Sequence, residues 1–298
     1  MKFGKVKAGE IGDLALPPIP VHTERFLAKL PKTLPTKLFV GGTQWTQKQW
    51  LGKWMPAGLK AEAHLMHYAN MFNTIELNAT FYRTPDVPTV EEWCSQVPDD
   101  FRFCPKWPQA ITHYRRFKNC EKQSDAFIES ANAFGAKLGR CFIQLPSNFT
   151  VSHVDNLTNY LKMLPHDLPL AIEFRHASWF SGDAVVDSLY SLMEERNIAT
   201  CLSDTLGRRD ALSMRITSSA LLLRFGGNAL HESDSVRLKE WADVLETWAE
   251  KGVNEIYFFI HQPDSILTPE TAQVLLANFE SSRMSIPSAP QEIQNLFG

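Results

Sequence analysis

Ile75-Glu-Leu-Asn-Ala-Thr-Phe-Tyr82 and Ala171-Ile-Glu-Phe-Arg-His-Ala-Ser-Trp-Phe180 are apolar strand sequences interrupted at alternate positions by charge or amide. A strand turns successive side chains to opposite faces. Glu76 and Asn78 therefore share one face of the first phrase, and Ile75, Leu77 and Ala79 share the other. In the second, Glu173 and Arg175 oppose Ile172 and Phe174. An ionised group on an interior face is costly unless it is paired or put to use. Both phrases predict a polar cavity at the ends of buried strands.

Working outward, eight β-type runs recur: Leu38–Trp45, Thr74–Tyr82, Arg102–Trp107, Arg140–Leu145, Leu170–His176, Ile198–Asp204, Ala220–Gly226 and Glu255–Gln262. Helical stripes separate most of them. Leu65, Tyr68, Ala69 and Phe72 fall at i, i+3, i+4, i+7, and Val90, Trp93, Cys94 and Val97 repeat the spacing, as do Leu157, Tyr160, Leu161 and Leu164. Leu238, Trp241, Leu245 and Trp248 mark a long helix. Ala272, Leu275, Leu276 and Phe279 mark the last one, with Thr268 expected as its N-cap and Pro269 in its first turn. The stretch Asp210–Thr217 carries the weakest helical signal. Eight strands alternating with helices predict an α/β fold, a single (β/α)8 TIM-type barrel. An open doubly wound sheet is the competitor, but Gly41-Gly42 lacks the G-x-G-x-x-G spacing of a dinucleotide site.

Residues 1–37, rich in proline, read as an N-terminal arm with one short helix. Residues 38–283 read as the barrel, and residues 284–298 as a polar, loosely held C-terminal tail. The chain has 298 residues, 44% of them hydrophobic, enough for one large core. A net charge of −3 gives no bulk attraction to nucleic acid or to an acidic membrane. The 5 cysteines include no C-x-x-C pair, so reduced, mostly buried thiols are expected. The first residues lack the apolar core of a signal peptide, and no run is long and apolar enough to span a bilayer. A cytoplasmic protein without a membrane partner is the expectation; oligomeric state is not indicated.

Active sites of such barrels lie at the C-terminal strand ends. The residues there are Trp45, then Glu76, Asn78 and Tyr82, then Lys106, Gln144, Glu173, Arg175 and His176, then Asp204, Arg224 and His261. If their common phase points inward, three acids (Glu76, Glu173, Asp204) meet three bases (Lys106, Arg175, Arg224). Filled barrel interiors favour Val, Ile and Leu, so a solvent-filled pocket competes with a purely structural ion lattice. Glu76, Glu173, His113 and His261 are the candidate proton carriers. Asn78, Tyr82, Lys106, Gln144, Arg175, Asp204, Arg224 and Trp45 are the candidate substrate contacts, with Arg175 and Arg224 as the principal anion grips. Arg208 and Arg209 either grip a phosphate or form a solvated turn with Asp210, while His64 and His67 read as surface residues of an outer helix. No cofactor is predicted. A divalent metal is the minor alternative, because the strand ends carry few histidines and three cations compete for the acids. P-loop, G-x-S-x-G and H-E-x-x-H motifs are absent from the sequence.

The order and spacing of Trp45…Trp50, Tyr68-Ala-x-x-Phe72, Ile75-Glu-x-Asn78-x-x-Phe-Tyr82, Phe103-x-x-Lys106, Thr112-His113, Gln144-Leu-Pro146 and Glu173-x-Arg-His-x-Ser-Trp-Phe180 resembles the YecE-like family, domain of unknown function 72. The likeness runs over nearly all of residues 38–280. It implies a TIM-type barrel and supplies no activity. Many members read Arg-x-His-Gly at strand seven and two asparagines near the end of strand eight, where this chain has Arg224-Phe-Gly-Gly227 and His261-Gln-Pro-Asp264. Three functions stay open. The first is acid–base chemistry (lyase, isomerase or hydrolase) on a small phosphate- or carboxylate-bearing substrate. The second is a metal-dependent phosphoesterase acting on nucleic acid or another phosphoester. The third is a non-catalytic ligand-binding or scaffold protein.

Overall fold

A computed structural model describes residues 11–32, 35–182, 184–280 and 282–293. Its strands are β1 (Thr36–Gly41), β2 (Thr74–Leu77), β3 (Arg102–Pro105), β4 (Cys141–Gln144), β5 (Leu170–Glu173), β6 (Ala199–Thr205), β7 (Ala220–Gly226), β8 (Glu255–His261) and β9 (Met284–Ser285). The helices are α1 (Val21–Leu27), α2 (His64–Ala69), α3 (Ala79–Tyr82), α4 (Val87–Ser95), α5 (Glu121–Asn132), α6 (Val154–Met163), α7 (Ala184–Glu195), α8 (Glu232–Glu250) and α9 (Thr268–Leu276). Each of the eight anticipated β runs overlaps a strand, although β1 begins at Thr36, before the expected Leu38, and β6 ends at Thr205. A 7-stranded sheet runs β4-β5-β6-β7-β8-β1-β9, and β2 pairs with β3 in a second, 2-stranded sheet. Every pairing is parallel, from Lys37 opposite Glu255 to Thr74 opposite Arg102.

Hydrogen bonds also join the two sheets. The Glu76 amide donates to the Gly42 carbonyl at 3.0 Å. Asn73 acts as an extra strand residue through its side chain, accepting from the Val40 amide at 2.8 Å and donating to the Leu38 carbonyl at 2.9 Å. Tyr68 completes this seam, accepting from the Gly42 amide at 2.7 Å and donating to the Thr74 carbonyl at 2.9 Å. The approach demands glycine at position 41, because a Cβ there would collide with the Thr74 carbonyl. On the other side, the Gly139 amide donates to Phe103 at 2.8 Å and the Trp107 amide to Phe142 at 2.9 Å.

Parallel strands covered on both faces are apolar on both. One face carries Phe39, Cys104, Phe142, Ala171, Ala199, Cys201, Leu222, Tyr257 and Phe259, which pack together as one cluster. Phe39 and Tyr257 stack with ring centres 4.7 Å apart. The opposite face receives the helices. On α8, Leu238, Trp241, Leu245 and Trp248 are fully buried against Leu221, Leu223 and Phe225. Burial of each leucine stabilises by about 1.5–3 kcal/mol relative to exposure.

Several local expectations are corrected. The second run leaves the sheet at Leu77, and Ala79–Tyr82 forms the short helix α3. Residues 206–211 form a tight turn and the following stretch is extended. Leu267, not Thr268, caps α9. His64 is buried rather than exposed. The tail is held as far as Ile293: β9 pairs with β1, Gln273 donates to the Pro290 carbonyl at 2.8 Å, and the Ile293 amide donates to Lys53 at 2.8 Å. The arm is anchored by Thr23, whose hydroxyl donates to Met214 at 2.9 Å and accepts from the Ile216 amide at 3.1 Å. Among the described residues no helix is long and apolar enough to cross a membrane.

Candidate functional site

Two residues beyond the apolar inner cluster, the same strand faces turn polar. Alternation brings Glu76, Lys106, Gln144, Glu173, Ser203, Arg224 and His261 into one layer at the strand C-termini. Arg224, on β7, is its hub. Its Nε donates to Glu76 Oε2 at 2.9 Å and its Nη2 to Glu76 Oε1 at 3.0 Å. Its Nη1 donates to both oxygens of Glu173, each at 2.9 Å. All three guanidinium nitrogens are committed. This is the fork geometry that favours arginine over lysine.

The carboxylates are saturated as well. Glu76 Oε1 also accepts from Asn78 Nδ2 at 2.9 Å, and Oε2 is bonded to His261 Nε2 at 2.8 Å. Glu173 Oε1 also accepts from the Ser203 hydroxyl at 2.6 Å, and Oε2 from Gln144 Nε2 at 2.5 Å. Each of the four oxygens therefore has two partners. Burial works to raise the Glu76 pKa, but Arg224 and His261 outweigh it and hold the carboxyl well below its usual range. Burial likewise opposes ionisation of Glu173, and Arg224 followed by Arg175 overcomes it. The two glutamates keep Arg224 charged in turn. Both acids are thus fixed as anions and have no capacity left for a proton at neutral pH.

Lys106 is different. Its residue is 7% exposed. The backbone is fastened to β2 and α3, the amide donating to Leu77 at 3.3 Å and the carbonyl accepting from Thr80 Oγ1 at 2.7 Å. Its ammonium lies 4.5 Å from the centre of the Phe81 ring and 5.5 Å from that of Phe142. Among the described residues Nζ makes no hydrogen bond or ion pair, although two glutamates lie in its field. Those glutamates are occupied by Arg224. Burial first, and the Arg224 guanidinium second, push the Lys106 pKa down to about 8.

His113 stands on the other side of Phe81, edge to face at 5.1 Å, in a one-turn π-helix, Ala110–Tyr114. Single π-turns are frequent at functional sites. Its Nδ1 is 2.8 Å from the Thr112 hydroxyl. Burial, then Lys106 and Arg175, bring its pKa down to about 4, so the ring is neutral at neutral pH. His261 is also held below its ordinary value, chiefly by burial. Arg175 is half-buried two residues beyond Glu173; burial lowers its pKa and its carbonyl accepts from Arg208 at 2.9 Å.

The remaining candidates fall elsewhere. Asp204 points away from this layer, toward α8, and its expected place among the inward acids is corrected. It accepts from Arg209 at 2.7 Å and from the Trp241 indole at 2.9 Å, and lies 3.2 Å from Arg237. On β6 the inward residue is Ser203, which the sequence reading passed over. Arg224 is spent on the glutamates rather than open to an anion. Tyr82 is 73% exposed and touches Phe81 edge-on. Trp45 packs edge to face against Trp93, with ring centres 5.3 Å apart. Arg208 turns back on Asp210 at 3.1 Å. Among the described residues no group of three or more His, Cys, Asp or Glu is placed to hold a metal ion.

The family profile described as "Protein of unknown function DUF72" matches residues 39–294. The chain belongs to the DUF72 family. It is 25% identical to the UPF0759 protein YecE of Escherichia coli K12 over 276 residues, which cover 86% of this chain and 98% of YecE. It is 30% identical to the UPF0759 protein YunF of Bacillus subtilis over 153 residues, 48% of this chain and 52% of YunF. Among solved structures, a DUF72 protein from Enterococcus faecalis V583 superposes with a TM-score of 0.63 at 19% identity, over 81% of this chain and 97% of that one. A DUF72 protein from Thermotoga maritima MSB8 gives 0.54 at 22% identity, over 80% and 99%. These likenesses concern the fold. The DUF72 match spans every member of the inward layer, from Glu76 to His261.

Proposed function

We propose that this DUF72 protein is an enzyme that performs acid–base chemistry on a small carboxylate- or phosphate-bearing substrate. We further infer that the two sheets close into a (β/α)8 barrel, with the polar layer at its mouth. The seams at Gly42–Glu76 and Phe142–Trp107 support that closure. One observation carries the functional reading: Glu76 and Glu173 are saturated by Arg224 together with Asn78, His261, Ser203 and Gln144, which leaves Lys106 as a largely buried cation without an ion-pair partner among the described residues. A purely structural lattice would be expected to neutralise it. An amine with a pKa of about 8 gives and takes a proton near neutral pH. Arg175 adds a planar donor on the outer side of the layer. Glu76 and Glu173 then serve as the fixed frame and Lys106 as the proton carrier, with neutral His113 beside it. The four buried and one half-buried free cysteines fit a reducing compartment, and we place the protein in the cytoplasm.

Calorimetry and thermal-shift measurements with phosphorylated and carboxylated metabolites test this on the wild type, Lys106→Met and Arg175→Ala. A binding anion should raise the melting temperature of the wild type. Its affinity should fall by roughly one to two decades in either variant, the loss of about 1.5–3 kcal/mol expected for a charge-assisted contact. Equal affinities in all three proteins would remove the anion from this site. A ligand that binds tightly and is recovered unchanged would make the protein a binding module instead.

A further inference from the structure

We propose that Lys106 is a nucleophile that forms an imine, and that the substrate class is a small carbonyl acid: an aldehyde or ketone bearing a carboxylate or phosphate. This rests on the reading of the layer as an anion-binding acid–base site.

The argument begins with the lone pair. An amine is nucleophilic only when unprotonated and when no neighbour has claimed it. Three other lysines are engaged: Lys53 with Glu270 at 2.7 Å, Lys239 with Asp243 at 2.6 Å, and Lys137 with the Cys94 and Val97 carbonyls at 2.8 and 2.7 Å. Lys106 has no such acceptor among the described residues, and the acids that could have supplied one are saturated by other donors. Burial and the Arg224 guanidinium favour the neutral amine, against the attraction of the Phe81 and Phe142 ring faces for the ammonium. The charged or titratable groups facing it are Glu76 from β2, Glu173 and Arg175 from the β5 end, Arg224 from β7, His261 from β8 and His113 from the loop after β3.

The chemistry balances without a further reagent. The Nζ lone pair attacks the carbonyl carbon, a C–N bond forms, and the C=O π pair moves to oxygen, which takes up a proton. The nitrogen loses one proton to give the carbinolamine. Its lone pair then expels the hydroxyl, which leaves as water after accepting a second proton. Lysine amine, carbonyl and one proton have become iminium and water. His113, neutral and packed on the same Phe81 ring, is placed to relay these protons. The iminium, protonated on nitrogen, lies in the field of Glu76 and Glu173. It is an electron sink for removal of an adjacent proton or for cleavage of an adjacent C–C bond.

The test is reductive trapping on the full chain. Wild type, Lys106→Arg and Lys106→Met are incubated with glyoxylate or pyruvate and sodium cyanoborohydride, then read by intact mass and peptide mapping. Circular dichroism checks that each variant is folded. Lys106→Arg keeps a cation and cannot form an imine. The expected result is one reduced adduct on Lys106, formed at least about tenfold faster than on the exposed Lys29 or Lys162, because the lower pKa leaves far more free amine at pH 7.5. The rate should rise with pH and level off above about 8. Labelling of Lys106 no faster than of surface lysines, or equal labelling of the arginine variant, overturns the proposal. Calorimetry with inorganic phosphate and lactate, which have no carbonyl to condense, separates the two readings. Binding that survives in Lys106→Arg without any adduct in the wild type sinks the imine and leaves the anion site standing. Adduct formation without anion binding supports the imine and removes the anion site.

Discussion

Strand β7 borders two clusters of buried charge, one on each face of the sheet. On the inner face Arg224 bridges Glu76 and Glu173. On the outer face Arg237 of α8 bridges Asp204 at 3.2 Å and Asp234 at 2.9 Å. Both have a fully or nearly fully buried guanidinium between two carboxylates. In the outer cluster the carboxylates are satisfied, although Arg237 Nε and Nη1 have no hydrogen-bond partner among the described residues. Asp204 takes a second cation, Arg209, and the Trp241 indole. Asp234 accepts the Asn228 amide at 2.7 Å and the Leu230 amide at 3.1 Å, fastening a turn in which Ala229 and Leu230 hold positive φ. Its donors belong to α8 and the loops, so its product is rigidity. The inner cluster satisfies its acids equally well yet leaves Lys106 over. Buried charge alone does not mark a site. Buried charge that ends in an unmatched amine at the strand ends does.

Removing either hub should have the largest effect. Arg224→Leu and Arg237→Leu each strand two buried carboxylates, and each should cost about 3–5 kcal/mol in urea unfolding. The comparison is sharpened by ligand: the Arg237 variant, where folded, should retain the wild-type thermal shift with a binding anion, and the Arg224 variant should lose it. Equal ligand responses would erase the distinction.

Acid should act next. The folded pKa of Glu76 lies well below the ordinary 4.5, so the unfolded chain binds its proton more tightly. The stabilisation is complete above about 4.5 and is lost as pH falls through the folded value. Glu173 shares the direction. Stability measured between pH 6 and pH 3 should decline, and Glu76→Gln should flatten the decline. An unchanged slope in that variant would show that Glu76 is not the linked group.

Lys106 should behave in the opposite way. Its folded pKa of about 8 lies below its ordinary 10.5, so the cost of burying the charge is fully present below about 8 and is relieved as pH rises toward 10.5. Lys106→Met should therefore stabilise the protein at pH 7 by about 1–3 kcal/mol, and by less at pH 10. Destabilisation at pH 7 would mean that Lys106 belongs to the structural frame. Tyr82→Ala, at a side chain 73% exposed, should change stability by no more than about 0.5 kcal/mol. A larger loss would place Tyr82 in the packing of the mouth rather than at its edge.

Much of this was legible in the residues. The eight β runs stood out because short β-branched and aromatic segments recur between helical stripes, and the inward phase of Glu76, Glu173 and Arg224 follows from alternation. Alternation failed at β6. A parallel strand buried on both faces has no polar side to set its phase, and Asp204 drew attention that belonged to Ser203. The partners that explain Asp204, Arg237 and Trp241, lie on a helix more than thirty residues on. The reading also divided roles by residue type, giving Arg224 to an anion and the glutamates to proton transfer. Only the hydrogen bonds reveal that these three groups consume one another. Lys106 could not be singled out from spacing, since what distinguishes it is the absence of a partner among the described residues. Asn73, whose side chain serves as backbone, left no pattern to read.

The order of the strands has a consequence for synthesis. Among the described residues β1 is the first strand in chain order, yet its ladder partners are β8 and β9, at Glu255–His261 and Met284–Ser285. The arm before it waits too, since Thr23 bonds Met214 and Ile216. At elongation rates of about 5–20 residues per second, β1 stands for on the order of 10–40 s as a strand without its ladder partners. An unpaired apolar strand is a template for wrong pairing. The side chain of Asn73 reaches both Val40 and Leu38 from a position synthesised long before β8. It covers the edge of β1 that faces away from β8, so the β8-facing edge is the one that stands open during the interval.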